Sequence, residues 1–178
     1  MAGNLGRKRT ERNIRVRMRL WPDLDAAKLW NWKERGGFTT IPRTMPYFAR
    51  IMDDLTKTTP VFSTYLALWC RMWDESCLVR VNNPTALSKE SGFSGQRAVS
   101  TWRGRMKLLE QHGFIETKPL ADEPYGYVLV INPYYAIKEL FDSGSCDEGW
   151  YYALMERHDA IGATDLDELT GAESDTED

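Results

Sequence analysis

The chain has 178 residues, 42% of them apolar and 12% aromatic, which suits one compact domain with terminal extensions. It has no run of the roughly 20 apolar residues that a membrane span requires, and no apolar stretch follows the basic N-terminus, which argues against a secretory signal. Its three widely spaced cysteines argue against a disulfide framework and favour reduced, mostly buried thiols in a cytoplasmic protein.

The net charge of −3 conceals a strong asymmetry between the two ends of the chain. Residues 1–20 carry seven Lys and Arg against one Glu, whereas residues 142–178 carry twelve Asp and Glu against one Arg. A basic arm and an acidic tail on one chain are typical of proteins that bind a polyanion and regulate that binding. A binding partner interacts with these local charged patches and not with the net charge, because salt screens charges beyond about 8–10 Å.

The N-terminal part is predicted as a disordered basic tail over 1–13 and a strand-and-helix extension over 14–45. From Ile14 to Leu20 apolar residues alternate with arginines, and period two predicts a strand with one apolar face. The other face is formed by Arg15, Arg17 and Arg19. That face either is the solvated side of an edge strand or contacts phosphates or the acidic tail. A short capped helix ending at Gly36–Gly37 is expected next.

The middle of the chain alternates helices with one short strand. Helical spacing of apolar residues predicts helices over 46–57 and 61–75, the second with an aromatic face typical of a core. A strand is predicted over 78–81. Asn83 and Pro84, an N-cap residue and a first-turn proline, then begin a helix that runs to Gly92.

Two helices and a hairpin complete the predicted domain. Ser94 is expected to cap a longer helix that ends at Gly113. Strands over 114–118 and 127–131, joined by a turn over 121–126, precede a last clear helix from Pro133 to Phe141. The order of elements is that of a winged helix-turn-helix, so we predict a mostly helical α+β fold with this domain over 46–141. Residues 142–178 are predicted as a weak helix, over 148–158, and a disordered acidic tail.

Over about residues 60–135 the chain resembles winged helix-turn-helix DNA-binding proteins, including MarR-like regulators and plasmid replication initiators. The shared pattern is GFS at 92–94 followed by LxxxGFI at 109–115. Ser94 and Leu109 lie fifteen residues apart, about one helical turn more than is usual in such proteins. The segments FTTIPRTMP (38–46) and TYLALWCRMWDE (64–75) are also similar to uncharacterised proteins of bacterial plasmids and integrated elements. The resemblance implies a transcriptional regulator or replication accessory of a mobile element.

The helix after Ser94 divides into an apolar face and a polar face. Ala98, Trp102, Met106 and Leu109 share the inner side at helical spacing. The outer side carries long side chains with hydrogen-bond donors, which is what a helix that reads bases in the major groove requires. Arg97 or Arg103 could hydrogen-bond to guanine, and Gln96 to adenine. The alternative is that this polar face is merely solvated. The predicted DNA-binding residues are Ser94, Gln96, Arg97, Ser100, Arg103, Lys107 and Lys118, together with Arg15, Arg17 and Arg19.

Two features limit the functional classes. Asp122 and Glu123 at the predicted wing tip repel phosphates, so the alternative function is a winged-helix adaptor that binds a protein without reading DNA. The sequence also leaves open whether the chain forms a homodimer. The two histidines, His112 and His158, show no ligand spacing, and no phosphate loop or nucleophile motif is present. The sequence therefore predicts neither a metal, a cofactor, a small-molecule ligand nor an enzymatic activity.

Overall fold

The computed structural model describes residues 4–31, 36–73 and 76–165, with side chains from residue 6 onward. Within these ranges the chain is an α+β protein with seven α-helices and one three-stranded antiparallel sheet. It divides into two compact units, one from Met1 to Phe38 and the other from Thr39 onward. The helices that the structure describes include none with the length and apolarity needed to cross a membrane.

The first unit contains a helix, α1, that spans Asn4–Leu20. Both the strand predicted over 14–20 and the disorder predicted over 1–13 are therefore wrong for the described residues. A strand needs a neighbour for its backbone hydrogen bonds, whereas a helix satisfies them internally, and Arg, Lys, Met and Leu are good helix formers. Arg7 Nε donates to Glu11 Oε1 one turn later (3.2 Å), which supports the helix further.

The remainder of the first unit is less regular than the sequence suggested. A single turn of 3-10 helix spans Ala26–Lys28, and its cap is Asp25, whose Oδ1 accepts from Ala27 N at 2.9 Å. Of the helix predicted to end at Gly36–Gly37, the described residues contain only this one turn. The part of that prediction that falls on residues 32–35 lies outside them.

The second unit begins with α2 (Met45–Thr56), α3 (Phe62–Arg71), β1 (Leu78–Arg80), α4 (Pro84–Glu90) and α5 (Ala98–Gln111). It continues with β2 (Ile115–Leu120), β3 (Glu123–Val130), α6 (Pro133–Asp142) and α7 (Glu148–Ile161). In the sheet, β3 is central and pairs antiparallel with β1 on one side and β2 on the other. The order and types of these elements agree with the prediction, and the layout is consistent with a winged helix.

Within the second unit, one core joins the helices to the inner face of the sheet. The largest fully buried side chains include Trp102 of α5, Tyr65 of α3, Phe48 of α2 and Phe114 at the start of the hairpin. Helix α7 belongs to this core, because its Tyr151 and Leu154 are buried and the Tyr151 ring stacks on Phe141 at 3.7 Å between centroids. The compact unit therefore extends beyond the predicted limits of 46–141, and the helix predicted as weak is longer and packed. Residues 166–178 lie outside the described residues.

Helix α3 is shorter than predicted, since it ends at Arg71 and residues 72–73 are not helical; the predicted positions 74–75 lie outside the described residues. Trp73, which falls within the predicted range of this helix and its aromatic face, is 83% exposed. The cysteines also differ from the prediction: Cys146 is buried, Cys77 is half-buried outside any helix, and Cys70 is exposed. The prediction of mostly buried thiols therefore holds for Cys146 alone.

The hairpin between β2 and β3 turns at Ala121 and Asp122, so the turn predicted over 121–126 is too long. The pairing register shifts between Lys118 and Leu120. Gly126 faces this irregularity, where a Cβ on residue 126 would lie 2.5 Å from the backbone nitrogen of Leu120. Close approach of two backbones thus requires glycine at this position.

Gly126→Ala is expected to lower the free energy of unfolding by about 1–3 kcal/mol, because the hairpin backbone must move to admit the methyl group. Urea denaturation followed by circular dichroism measures the change. The matched control is Gly104→Ala in α5, where a Cβ meets no atom within 4 Å. That variant is expected to be as stable as the wild type or more stable. Equal stability of Gly126→Ala and the wild type would contradict the observed close approach.

Candidate nucleic-acid interface

Helix α5 and the turn before it form the candidate interface. Two glycines in left-handed conformation shape the turn, Gly92 with φ +88° and Gly95 with φ +79°. A helix cannot include such a residue, so α5 begins only at Ala98, with Arg97 at the N-cap position. The prediction that Ser94 caps this helix is wrong. The additional residues between Ser94 and Leu109 therefore lengthen the turn before α5 and not the helix itself.

The predicted division of α5 into two faces is confirmed. Its inner residues Ala98, Trp102, Met106 and Leu109 are all buried. The predicted outer residues Ser94, Gln96, Arg97, Ser100, Arg103 and Lys107 are all exposed. Between Glu90 and Glu110 the sequence has four Lys and Arg and no carboxylate. Three of these four, Arg97, Arg103 and Lys107, are exposed, so the outer side of α5 and its N-cap carries positive charge up to the last turn.

Three contacts fix the hairpin to α5. Arg103 Nη2 donates to Glu123 Oε2 at 2.6 Å, and the Glu123 side chain is only 12% exposed. The Trp102 and Tyr125 rings meet edge to face with 6.0 Å between centroids, and the Thr117 hydroxyl donates to Glu110. The hairpin and the helix are thus held in one geometry.

The Arg103–Glu123 ion pair changes the roles predicted for both residues. The hydrogen bond to Glu123 raises the pKa of Arg103 above its usual value, so Arg103 remains charged and engaged. Arg103 in turn balances the negative charge of Glu123, whereas Asp122 at the tip has no ion-pair partner among the described residues. Arg103 is therefore not free to read a base while it holds the hairpin.

Lys118 does not lie with the α5 residues. Thr117 contacts α5, so Lys118, the next residue of β2, projects from the opposite face of the sheet. There it is paired across the strands with Tyr127, which in turn is paired with Arg80. The Arg80 guanidinium carbon lies 6.0 Å from the centroid of the Tyr127 ring. Arg80 and Tyr127 were missed by the sequence reasoning, because only the strand register places them beside Lys118.

The arginines of α1 are distributed differently from the prediction. On a helix, Arg15 and Arg19 share one side, whereas Arg17, two residues from each, projects from the other side. Lys8 and Arg12 lie on the same side as Arg15 and Arg19, and these four residues are called the basic stripe below. The basic stripe is exposed along its whole length. The spacing i, i+4, i+7 and i+11 would have revealed it in the sequence if the segment had been assigned as a helix.

The described residues contain no cluster of three or more His, Cys, Asp and Glu side chains that could hold a metal ion. The buried His158 has its Nδ1 3.2 Å from Asp159 Oδ1, and burial lowers the pKa of His112 at the end of α5. The His158 ring meets the Tyr134 ring edge to face with 5.4 Å between centroids, and the Tyr134 hydroxyl is hydrogen-bonded to Thr44. The chemistry available at the interface is hydrogen bonding and charge.

Comparison with known proteins adds no assignment. No protein-family model matches the chain, and neither a curated protein nor a solved structure was found to match it. Function must therefore be inferred from the contacts, exposure and charges of the described residues.

Proposed function

We propose that this chain binds duplex DNA in a sequence-specific manner through a winged helix-turn-helix in which α5 is the recognition helix. We further propose, from the resemblance stated above, that it serves a bacterial mobile element as a transcriptional regulator or replication accessory. The observation that carries the proposal is the exposed side of α5, where long donors project from a cationic segment without carboxylates. A helix of this kind fits the major groove, where base edges are read.

The exposed residues take different roles in this proposal. Arg97, at the N-terminus of α5, reads guanine through its guanidinium fork, and Gln96 beside it reads adenine. Ser94, Ser100 and Lys107 contact phosphates or base edges along the same side. Arg103 is a positioning residue that holds the hairpin through Glu123. This division follows from the contacts, since Arg97 is exposed at the start of the helix while Arg103 is already paired.

The basic stripe of α1 supplies phosphate contacts. Its four cations extend along about 16 Å of helix, and none has an ion-pair partner among the described residues. Cations that neutralise phosphates release counterions, so each contact adds about 0.9 to the slope of log K against log salt. The number of phosphate contacts made by α1 can therefore be obtained from the change in this slope when its cations are removed.

A salt titration on a random-sequence duplex tests the proposal. Replacing Arg12, Arg15 and Arg19 by glutamine should reduce the slope by up to about 2.7 and weaken binding at low salt. The matched control replaces Arg7, Arg9 and Arg17, which do not share one side of the helix, and should reduce it less. The absence of binding to any duplex at low salt would refute the proposed function. Equal slopes for the two triple variants would refute the role of the basic stripe.

Glu123→Gln is expected to tighten binding to random duplex by about 1 kcal/mol at low salt, because it removes a carboxylate near phosphates and releases Arg103. The gain should fade as the salt concentration rises. Fluorescence anisotropy at two ionic strengths measures it, with Asp142→Asn as the control that breaks the Lys138–Asp142 ion pair on α6. Weaker binding by Glu123→Gln would mean that the fixed hairpin matters more than the released charge.

The second candidate function is a protein-binding adaptor. It is favoured by one observation, that Arg103 is engaged by Glu123 while Asp122 at the hairpin tip has no ion-pair partner in the part of the chain that the structure describes. An adaptor would show no salt-dependent duplex binding and no effect of the α5 substitutions on DNA. The salt titration therefore separates the two candidates.

A further inference from the structure

The second unit contains a cavity of about 460 Å³, which lies in the range of roughly 300–1,000 Å³ typical of small-molecule sites. Its walls come from the segment before α2, the end of α3, the start of β1, the junction of β3 with α6, and the residues from the end of α7 onward. None of its lining residues belongs to α4, α5 or β2. The cavity is therefore distinct from the candidate nucleic-acid interface.

The walls are mainly apolar, and most of their polar groups are already used. Apolar surface comes from Trp69, Met72, Val130, Ile131, Pro133 and Ile161. Trp69 Nε1 donates to the carbonyl of Thr40 at 2.8 Å, and the Tyr134 hydroxyl is hydrogen-bonded to the buried Thr44 hydroxyl at 2.6 Å. These two aromatic residues thus offer ring surface to the cavity rather than hydrogen-bonding groups.

Two charged residues line the cavity, Arg43 and Asp165. Arg43 is exposed, lines the cavity and has no ion-pair partner among the described residues. Asp165 accepts a hydrogen bond from the neutral amide of Asn132 (Nδ2, 3.4 Å) beside the N-terminus of α6, and it too has no ion-pair partner among the described residues, so an anionic group is expected at Arg43 and not beside Asp165. A guanidinium fork next to apolar walls is suited to an anionic group carried on an apolar body.

We propose that this cavity binds a small amphipathic anion, with its carboxylate or sulfonate at Arg43 and its apolar body against Trp69 and Ile161. The ligand needs few hydrogen-bonding groups apart from the anion, since the walls offer few unpaired partners. Ala163, which also lines the cavity, leaves space that a larger side chain at this position would fill.

Two fluorescent probes test the proposal on the full chain without DNA, so its outcome is independent of the proposed function. The anionic probe 8-anilinonaphthalene-1-sulfonate should bind saturably at one site, and Arg43→Gln should weaken it about tenfold or more. The uncharged N-phenyl-1-naphthylamine should bind the wild type and Arg43→Gln within about twofold of each other. Ala163→Trp should abolish binding of both probes. Unchanged binding of the anionic probe to either variant would overturn the proposal.

A second measurement covers the case in which Ala163→Trp does not fold. Cys77 lines the cavity, whereas Cys146 is buried and burial raises the pKa of its thiol to about 11. In a Cys70→Ser background, the anionic probe should slow alkylation of Cys77 by a maleimide, as followed by intact mass. Alkylation of Cys77 at the same rate with and without saturating probe would overturn the proposal.

Discussion

Trp102→Ala is expected to lower the free energy of unfolding by about 3–5 kcal/mol. Trp102 is fully buried at the centre of the inner face of α5, and its ring contacts Tyr125 of the hairpin. Its Nε1 has no hydrogen-bond partner among the described residues, so the cost of the substitution is expected from lost packing and the cavity left behind. The loss should also loosen the hairpin, since Tyr125 would lose its aromatic neighbour.

Chemical denaturation followed by circular dichroism measures this change. The matched control is Trp73→Ala, which removes the same side chain from a position that is 83% exposed. That control should stay within about 0.5 kcal/mol of the wild type. If Trp102→Ala unfolded together with the wild type, the observed orientation of α5 would be wrong, and with it the choice of the exposed side as the DNA-reading side.

Arg97→Ala is expected to weaken binding to the preferred duplex by about 1–3 kcal/mol while leaving the stability of the fold unchanged. Arg97 is exposed at the N-cap of α5, and its side chain makes no capping hydrogen bond, so its removal costs the fold little. Arg97→Lys should recover part of the affinity and little of the discrimination between sequences, because lysine keeps the charge and loses the planar fork.

Anisotropy on the preferred duplex and on a scrambled duplex of the same composition measures both effects. Arg157→Ala, on α7, removes one arginine from the same compact unit and is the matched control for charge. Its affinity for the preferred duplex should stay close to that of the wild type. If Arg97→Ala and Arg157→Ala lost equal affinity for the preferred duplex, Arg97 would contribute only its charge and would not read a base.

The sequence predicted the second unit well because its core sets the pattern. The buried residues of α5 recur at helical spacing, and the cap residues Asn83 and Asn132 begin α4 and α6 as their side-chain chemistry indicates. Helix α1 was missed because its alternation from Ile14 to Leu20 fits a strand as well as a helix. In such a segment only the availability of a pairing strand decides between the two structures.

The site was predicted less completely, because its decisive features join residues that are distant in sequence. Gly95 follows Ser94 directly, and its left-handed backbone displaces the helix start in a way that residue types alone do not reveal. The contact between Arg103 and Glu123 depends on how the hairpin folds back on α5. The position of Lys118 depends on the strand register, and the cavity at Arg43 is assembled from separate segments of the chain.

Selection from a random duplex library, run in parallel with the wild type and Arg97→Ala, tests sequence-specific reading by α5 most directly. Sequencing of the enriched pools gives the base preference at each position of the bound site. The wild type should enrich a defined motif, and Arg97→Ala should enrich the same motif with the preference for guanine lost at one position. Failure of the wild type to enrich any motif, or enrichment of an identical motif by Arg97→Ala, would contradict the account.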